Sequence, residues 1–87
     1  MGTVEEFFGL STEESEYIKL KLALSEALIE RRKKINLTQA PLAKMLKSSQ
    51  SRVAKMEKGD PTVSGDLLVK SLLAMGADKK SIAGAIA

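Results

Sequence analysis

Apolar residues recur along most of this chain at helical spacing, and turn residues divide them into six segments. Thr3, Val4, Glu5 and Glu6 fit a capping box, which predicts a one-turn helix through Phe8 stopped by Gly9. Ser11 to Glu14 repeats the device, and Glu13, Glu14 and Glu16 suit the positive end of a helix dipole, so a long helix is expected from here to about Lys34. At about 100° per residue, Tyr17, Leu20, Leu24, Leu28 and Ile35 share one face. Ile18, Leu22 and Ile29 fall on a second, with Ser25 in the gap. One small core needs only the first face. The second requires cover, from Phe7 and Phe8 folding back or from a partner chain. The partner is preferred, because two phenylalanines reach only part of that length.

Asn36 suits a left-handed residue closing the long helix. Thr38 is placed to N-cap a short helix that carries Pro41 in its first turn, where a missing N–H costs nothing, and Leu42, Ala43 and Leu46 as apolar contacts. Lys47 and Ser48 form a turn, Ser49 caps a helix through about Glu57, and Gly59, Asp60 and Pro61 stop it. On that helix Ser49, Val53 and Met56 point inward. Ser51, Ala54, Lys55 and Lys58 face out, with Gln50 and Arg52 at the flanks. Short polar residues at its N-terminus and lysines at its C-terminus suit entry into a groove N-terminus first. Ser64 then caps a helix bearing Leu67, Leu68, Val69, Leu72, Leu73 and Met75, apolar enough to predict burial on more than one side and the centre of the core. Asp78 begins a last helix with Ile82, Ala83 and Ile86 as its apolar positions, and Gly84 predicts fraying. Met45, Met56 and Met75 read as core.

Composition agrees with one all-α domain spanning residues 1–87. Hydrophobic residues make up 44% and aromatics 3%, so Leu, Ile, Ala and Met must fill the core. No run reaches the ~18 apolar residues of a membrane span and no leader opens the chain, so a soluble, cytoplasmic protein is expected. With no cysteine and no histidine, thiolate chemistry is excluded and the commonest metal ligand and general base are missing, so no enzyme activity, cofactor or metal is expected. The net charge of +3 hides an asymmetry. Residues 1–16, an acidic N-terminal extension, hold five acids and no bases, whereas residues 31–58 hold nine bases against Glu57 alone, a local +8. Positive charge therefore gathers around residues 38–58, whose two short helices and tight turn have the form of a helix-turn-helix DNA reader.

From Arg31 through Gly76 the chain resembles the XRE family, the phage-repressor and Cro type of helix-turn-helix. The residues that carry the likeness are ERRKKINLTQAPLAKMLKSSQSRVAKMEKGDP and the capped Leu-rich helix after it, with L-T-Q-A, L-A, S-Q-S-R-V and M-E-x-G in the family's order and spacing. GDPTVSGDLLVKSLLAMG looks more particularly like small single-domain members, among them HigA-like antitoxins. The resemblance implies a compact lambda-repressor-like DNA-binding domain of five to six helices, here with an N-terminal helical extension. It also implies roles. Gln50, Ser51 and Lys55 would face base edges. Gln39 would bond a phosphate, and Ser49 and Arg52 would lie near the groove wall or backbone, with Lys44 and Lys58 as further phosphate contacts. Arg32 and Glu57 match a pair that the family keeps as a partly buried internal ion pair. Independently, a Gln amide can pair bidentately with adenine and a Lys can reach guanine O6 and N7. Lys33, Lys34 and Lys44 read equally well as a solvated face or as phosphate contacts. Two residues depart from the pattern. Lys47 stands where a turn glycine is usual, and a positive φ there costs about 1 kcal/mol or more. Pro41 replaces a common acid, which removes a negative charge near DNA.

Two functions follow. The first is a sequence-specific DNA-binding transcriptional regulator, a repressor that binds a palindromic operator in double-stranded DNA as a homodimer, with Ile18, Leu22 and Ile29 as the dimer or partner face. The second is an antitoxin that neutralises a cognate toxin and represses its own operon. The acidic N-terminal segment motivates it, since it would attract a basic RNA-cleaving toxin.

Overall fold

The computed structural model describes residues 9 and 11–87. Five helices follow in order: α1 (Thr12–Lys34), α2 (Gln39–Met45), α3 (Gln50–Lys58), α4 (Gly65–Ala74) and α5 (Lys79–Ile86). The expected capping box at Thr3, the turn of helix through Phe8 and the folding back of Phe7 and Phe8 lie outside the described residues.

Four of the five starts are set by a polar side chain. Ser11 accepts the Glu14 N–H at 3.1 Å, Ser49 that of Arg52 at 3.1 Å and Ser64 that of Leu67 at 3.1 Å. At α1 the Glu14 carboxylate accepts a hydrogen bond from the Ser11 hydroxyl rather than reaching back to the backbone. Asp78 and Ser81 form a full capping box on α5. Thr38 holds the extended backbone of an N-cap, but its side chain makes no cap bond.

Four helix ends share one device. A residue in the left-handed region lets the next N–H reach back five residues: Leu37 donates to Arg32 O at 3.0 Å, Ser48 to Ala43 O at 2.8 Å, Asp60 to Lys55 O at 3.1 Å and Ala77 to Leu72 O at 3.0 Å. The left-handed residues are Asn36 (φ 58°), Lys47 (φ 54°), Gly59 (φ 72°) and Gly76 (φ 87°). Lys47 therefore keeps the geometry of the usual glycine and bears the strain.

α1 is the spine, packed against α3, α4 and α5, while α2 packs against α3. The core joins Leu24 and Leu28 of α1, Leu42 and Ala43 of α2, Val53 and Met56 of α3, and Leu68 and Leu72 of α4, with Val63 and Met75 at its margins. Small Ala43 sits where α2 and α3 meet. The Tyr17 hydroxyl accepts the Gly65 N–H at 3.1 Å and so ties the N-terminal half of α1 to the start of α4.

Several apolar positions differ from expectation. On the first face of α1 only Leu24 and Leu28 are buried; Leu20 and Ile35 remain exposed, and so does Tyr17 although its hydroxyl reaches the start of α4. Met45 is also exposed, turned away from the side of α2 that carries Leu42 and Ala43. α4 is buried on one side only: Leu68, Leu72 and Met75 face α1, and Leu73 faces solvent.

Candidate nucleic-acid interface

α3 is anchored from within. Val53 and Met56 are 0% and 1% exposed, and these two residues, one turn apart, fix the helix's rotation about its axis. Gln50, Ser51, Arg52, Lys55 and Lys58 then have no freedom but to point outward, and all are exposed. The helix has only nine residues, too short to persist without this packing. Its positive dipole end lies at Ser49 and Gln50, and Lys55 and Lys58 occupy its last turn, where cations are favoured.

A bonded cluster stands behind the reader. The Arg32 guanidinium grips Glu57 through two N–H groups, one of them at 3.0 Å, and donates a third bond to Leu37 O at 2.9 Å. Gln39 adds its amide N–H to Glu57 at 3.0 Å. The side chains of Arg32 and Glu57 are 13% and 7% exposed. Burial opposes the Glu57 charge, yet the bonds from Arg32 and Gln39 and the charges of Arg32 and Lys33 outweigh it and hold the carboxyl below its ordinary range. The Arg32 guanidinium is raised in turn, by its bond to Glu57 first. One carboxylate thus links α1, the start of α2 and the end of α3. A domain without this link would hold α3 by apolar contacts alone, which resist sliding less well than directional bonds.

Of the remaining site residues, Ser49 accepts one bond in the cap and keeps its hydroxyl proton to donate. Gln39 uses one amide N–H on Glu57, leaving a second N–H and the carbonyl. Lys44, Lys55 and Lys58 are exposed, as are Lys33 and Lys34. Arg31 was not singled out by its position in the run RRKK. Its Nε donates to Met75 O at 3.1 Å and so caps α4. Only the terminal carbonyls of α4, which a sequence does not place, distinguish it from its neighbours. Of the nine bases in residues 31–58, then, Arg31 and Arg32 serve the fold. The second apolar stripe of α1 is uncovered at Ile18 and Leu22 and half-buried at Ile29.

A short helix pinned against a second across a tight turn, with its free face polar and basic, defines a helix-turn-helix protein. The chain belongs to that family: the helix-turn-helix family model matches residues 28–77, more than half of the 87-residue chain. Comparison with curated proteins and with solved structures gives no match. The XRE-type resemblance is thereby established, and the protein is a DNA-binding transcription regulator. Among the described residues no helix is long and apolar enough to cross a membrane.

Proposed function

We infer that the protein represses transcription by occupying a palindromic operator as a homodimer, with half-sites about one helical turn, ~34 Å, apart. The observation that supports this most is the exposed Gln50, Ser51 and Lys55 on a helix whose opposite face is wholly buried. Gln39, Ser49, Arg52, Lys44 and Lys58 supply phosphate and groove-wall contacts, which set affinity and register but carry no sequence information. Gln50, Ser51 and Lys55 supply discrimination, about 1–3 kcal/mol for each good base contact. A dimer so placed excludes polymerase from an overlapping promoter. Selection of bound sequences from random duplex DNA tests this. A two-fold-symmetric motif is expected, and failure to enrich any motif would refute specific binding.

A second function is supported by the charge of α1. Glu13, Glu14 and Glu16 are exposed on its first turns, opposite in sign to the reader. In this proposal the protein also neutralises a basic toxin there and autoregulates their shared operon. A co-purifying toxin that is lost on replacing these three glutamates by glutamine is the expected result. Retention of such a toxin by the variant would remove the site.

A further inference from the structure

The family match begins at residue 28, yet α1 begins at Thr12. Residues 12–27 add about 24 Å of helix that the matched fold does not account for. They also carry a concentration of exposed apolar side chains: Tyr17 at 48%, Ile18 at 41%, Leu20 at 37% and Leu22 at 46%. Ile18 and Leu22 open onto a groove of about 320 Å³ whose far wall is Gly59 and Pro61, the residues that follow the reader. Leu22 already reaches into the space beside Gly59, where its Cδ2 would stand 2.6 Å from any added Cβ.

We propose that this groove is the seam of a homodimer in which the N-terminal halves of two α1 helices pack antiparallel across a two-fold axis near Ile18. The order of charges along the helix selects this occupant and this direction. Glu14 and Lys21 both line the groove, two turns apart on one edge of the apolar stripe. In an antiparallel pair centred between them, Glu14 meets the partner's Lys21 and Lys21 meets the partner's Glu14. In a parallel pair this edge faces the partner's opposite edge, so Glu14 and Lys21 do not meet. Lys21 is already held at that edge: its Nζ donates to Pro61 O at 3.3 Å and lies 5.6 Å from the centre of the Tyr17 ring. Two N–H groups of the ammonium remain for the partner's carboxylate. Ile18 packs on its own symmetry mate at the axis, and each Leu22 lies one turn further out, level with the partner's Glu13 and the partner's Glu14 and beside Gly59 and Pro61 of its own chain. Because Gly59 and Pro61 follow α3, the seam sits beside the C-terminal ends of both readers and couples them.

This inference rests on the homodimeric reading above and supplies its interface. The test is sedimentation equilibrium of the full chain, paired with binding to a duplex holding a single half-site. Wild type is expected to dimerise with concentration. Glu14→Lys and Lys21→Glu each weaken dimerisation about tenfold, two symmetric ion pairs being lost at once, and the double exchange restores it to within about threefold. Ile18→Glu is monomeric where wild type is dimeric, with helix content and half-site affinity unchanged. A monomeric wild type overturns the seam, and if Phe7→Ser with Phe8→Ser then destabilises that monomer, the chain's own N-terminal residues cover the stripe instead. A dimer indifferent to Ile18→Glu, or a double exchange that fails to rescue, also overturns it. If the variants behave as expected but no half-site is bound, the seam stands and the repressor function falls.

Discussion

Lys47→Gly should make the protein more stable, although it removes every side-chain atom at the position. Lys47 closes α2 at φ 54°, the same left-handed station that Gly59 and Gly76 hold at 72° and 87°. An L-residue there brings its Cβ against the next carbonyl at a cost of about 1–2 kcal/mol, whereas glycine loses about 0.4–1 kcal/mol through the larger entropy of its unfolded chain. Lys47 is exposed and its own N–H and that of Ser48 already make the closing bonds, so nothing in the folded state opposes the change. The net gain is about 0.5–1 kcal/mol, which for a domain of this size raises Tm by roughly 3–6 °C. Lys47→Ala is the control: it removes the charge and the long side chain but keeps Cβ and its strain. Urea titration with an unchanged slope, backed by thermal melts, measures both variants. If Lys47→Gly is no more stable than Lys47→Ala, backbone strain at the turn is not what separates this chain from the usual glycine.

Other outcomes follow from the same contacts. Gly59→Ala should cost about 1–2 kcal/mol in urea titration, because it repeats the left-handed penalty and adds a methyl against Leu22. Glu57→Ala strands the Arg32 guanidinium and should destabilise by about 2–4 kcal/mol, near the lower part of the range for buried pairs since Arg32 keeps some contact with water; a loss under about 1 kcal/mol would demote the cluster to a surface pair. Three carboxyls lie below their ordinary range: Glu57, Asp60 through bonds from the Thr62 side chain and backbone, and Asp78 through bonds from the Ser81 backbone and side chain. A depressed folded value means that the stability is present above the unfolded value, about 4, and is lost as pH falls through the folded one. Thermal melts from pH 7 to pH 2.5 should therefore be flat at first and decline below about pH 4, and less steeply in Glu57→Gln. Lys44→Ala should weaken binding to all DNA sequences alike and reduce the slope of log K against log salt by about 0.9 for each bound copy, about 1.8 for the dimer.

The helices were legible because each is bounded by residues that do a local job. Ser11, Ser49, Ser64 and Asp78 cap, and Asn36, Gly59 and Gly76 turn, wherever they occur. The outward face of α3 was legible for the same reason: Val53 and Met56 leave the intervening residues one direction to point. What one sequence does not contain is which end of a long helix finds neighbours. Periodicity placed Tyr17, Leu20 and Ile35 with Leu24 and Leu28, but of the five only Leu24 and Leu28 are buried, and Tyr17 meets the start of α4 while staying exposed. Met45 and Leu73 failed likewise, since each is apolar on a side that no described element covers. Within RRKK, the division of labour between Arg31 at the end of α4 and Arg32 at Glu57 depends on tertiary placement. Gln39 reaching Glu57 was also not legible, for it requires the start of α2 beside the end of α3.

The family places DNA binding on this chain, and the fold places Gln50 at the first turn of the helix that, alone among the described residues, has a fully buried back and a polar, basic front. Comparing the sequences selected by wild type and by Gln50→Ala tests that assignment most directly. The variant should lose preference at one base pair in each half-site, by about 1–3 kcal/mol at that pair alone, with preferences elsewhere and the salt dependence intact. An unchanged motif, or a uniform loss across all positions, would mean that α3 does not enter the groove in the orientation described.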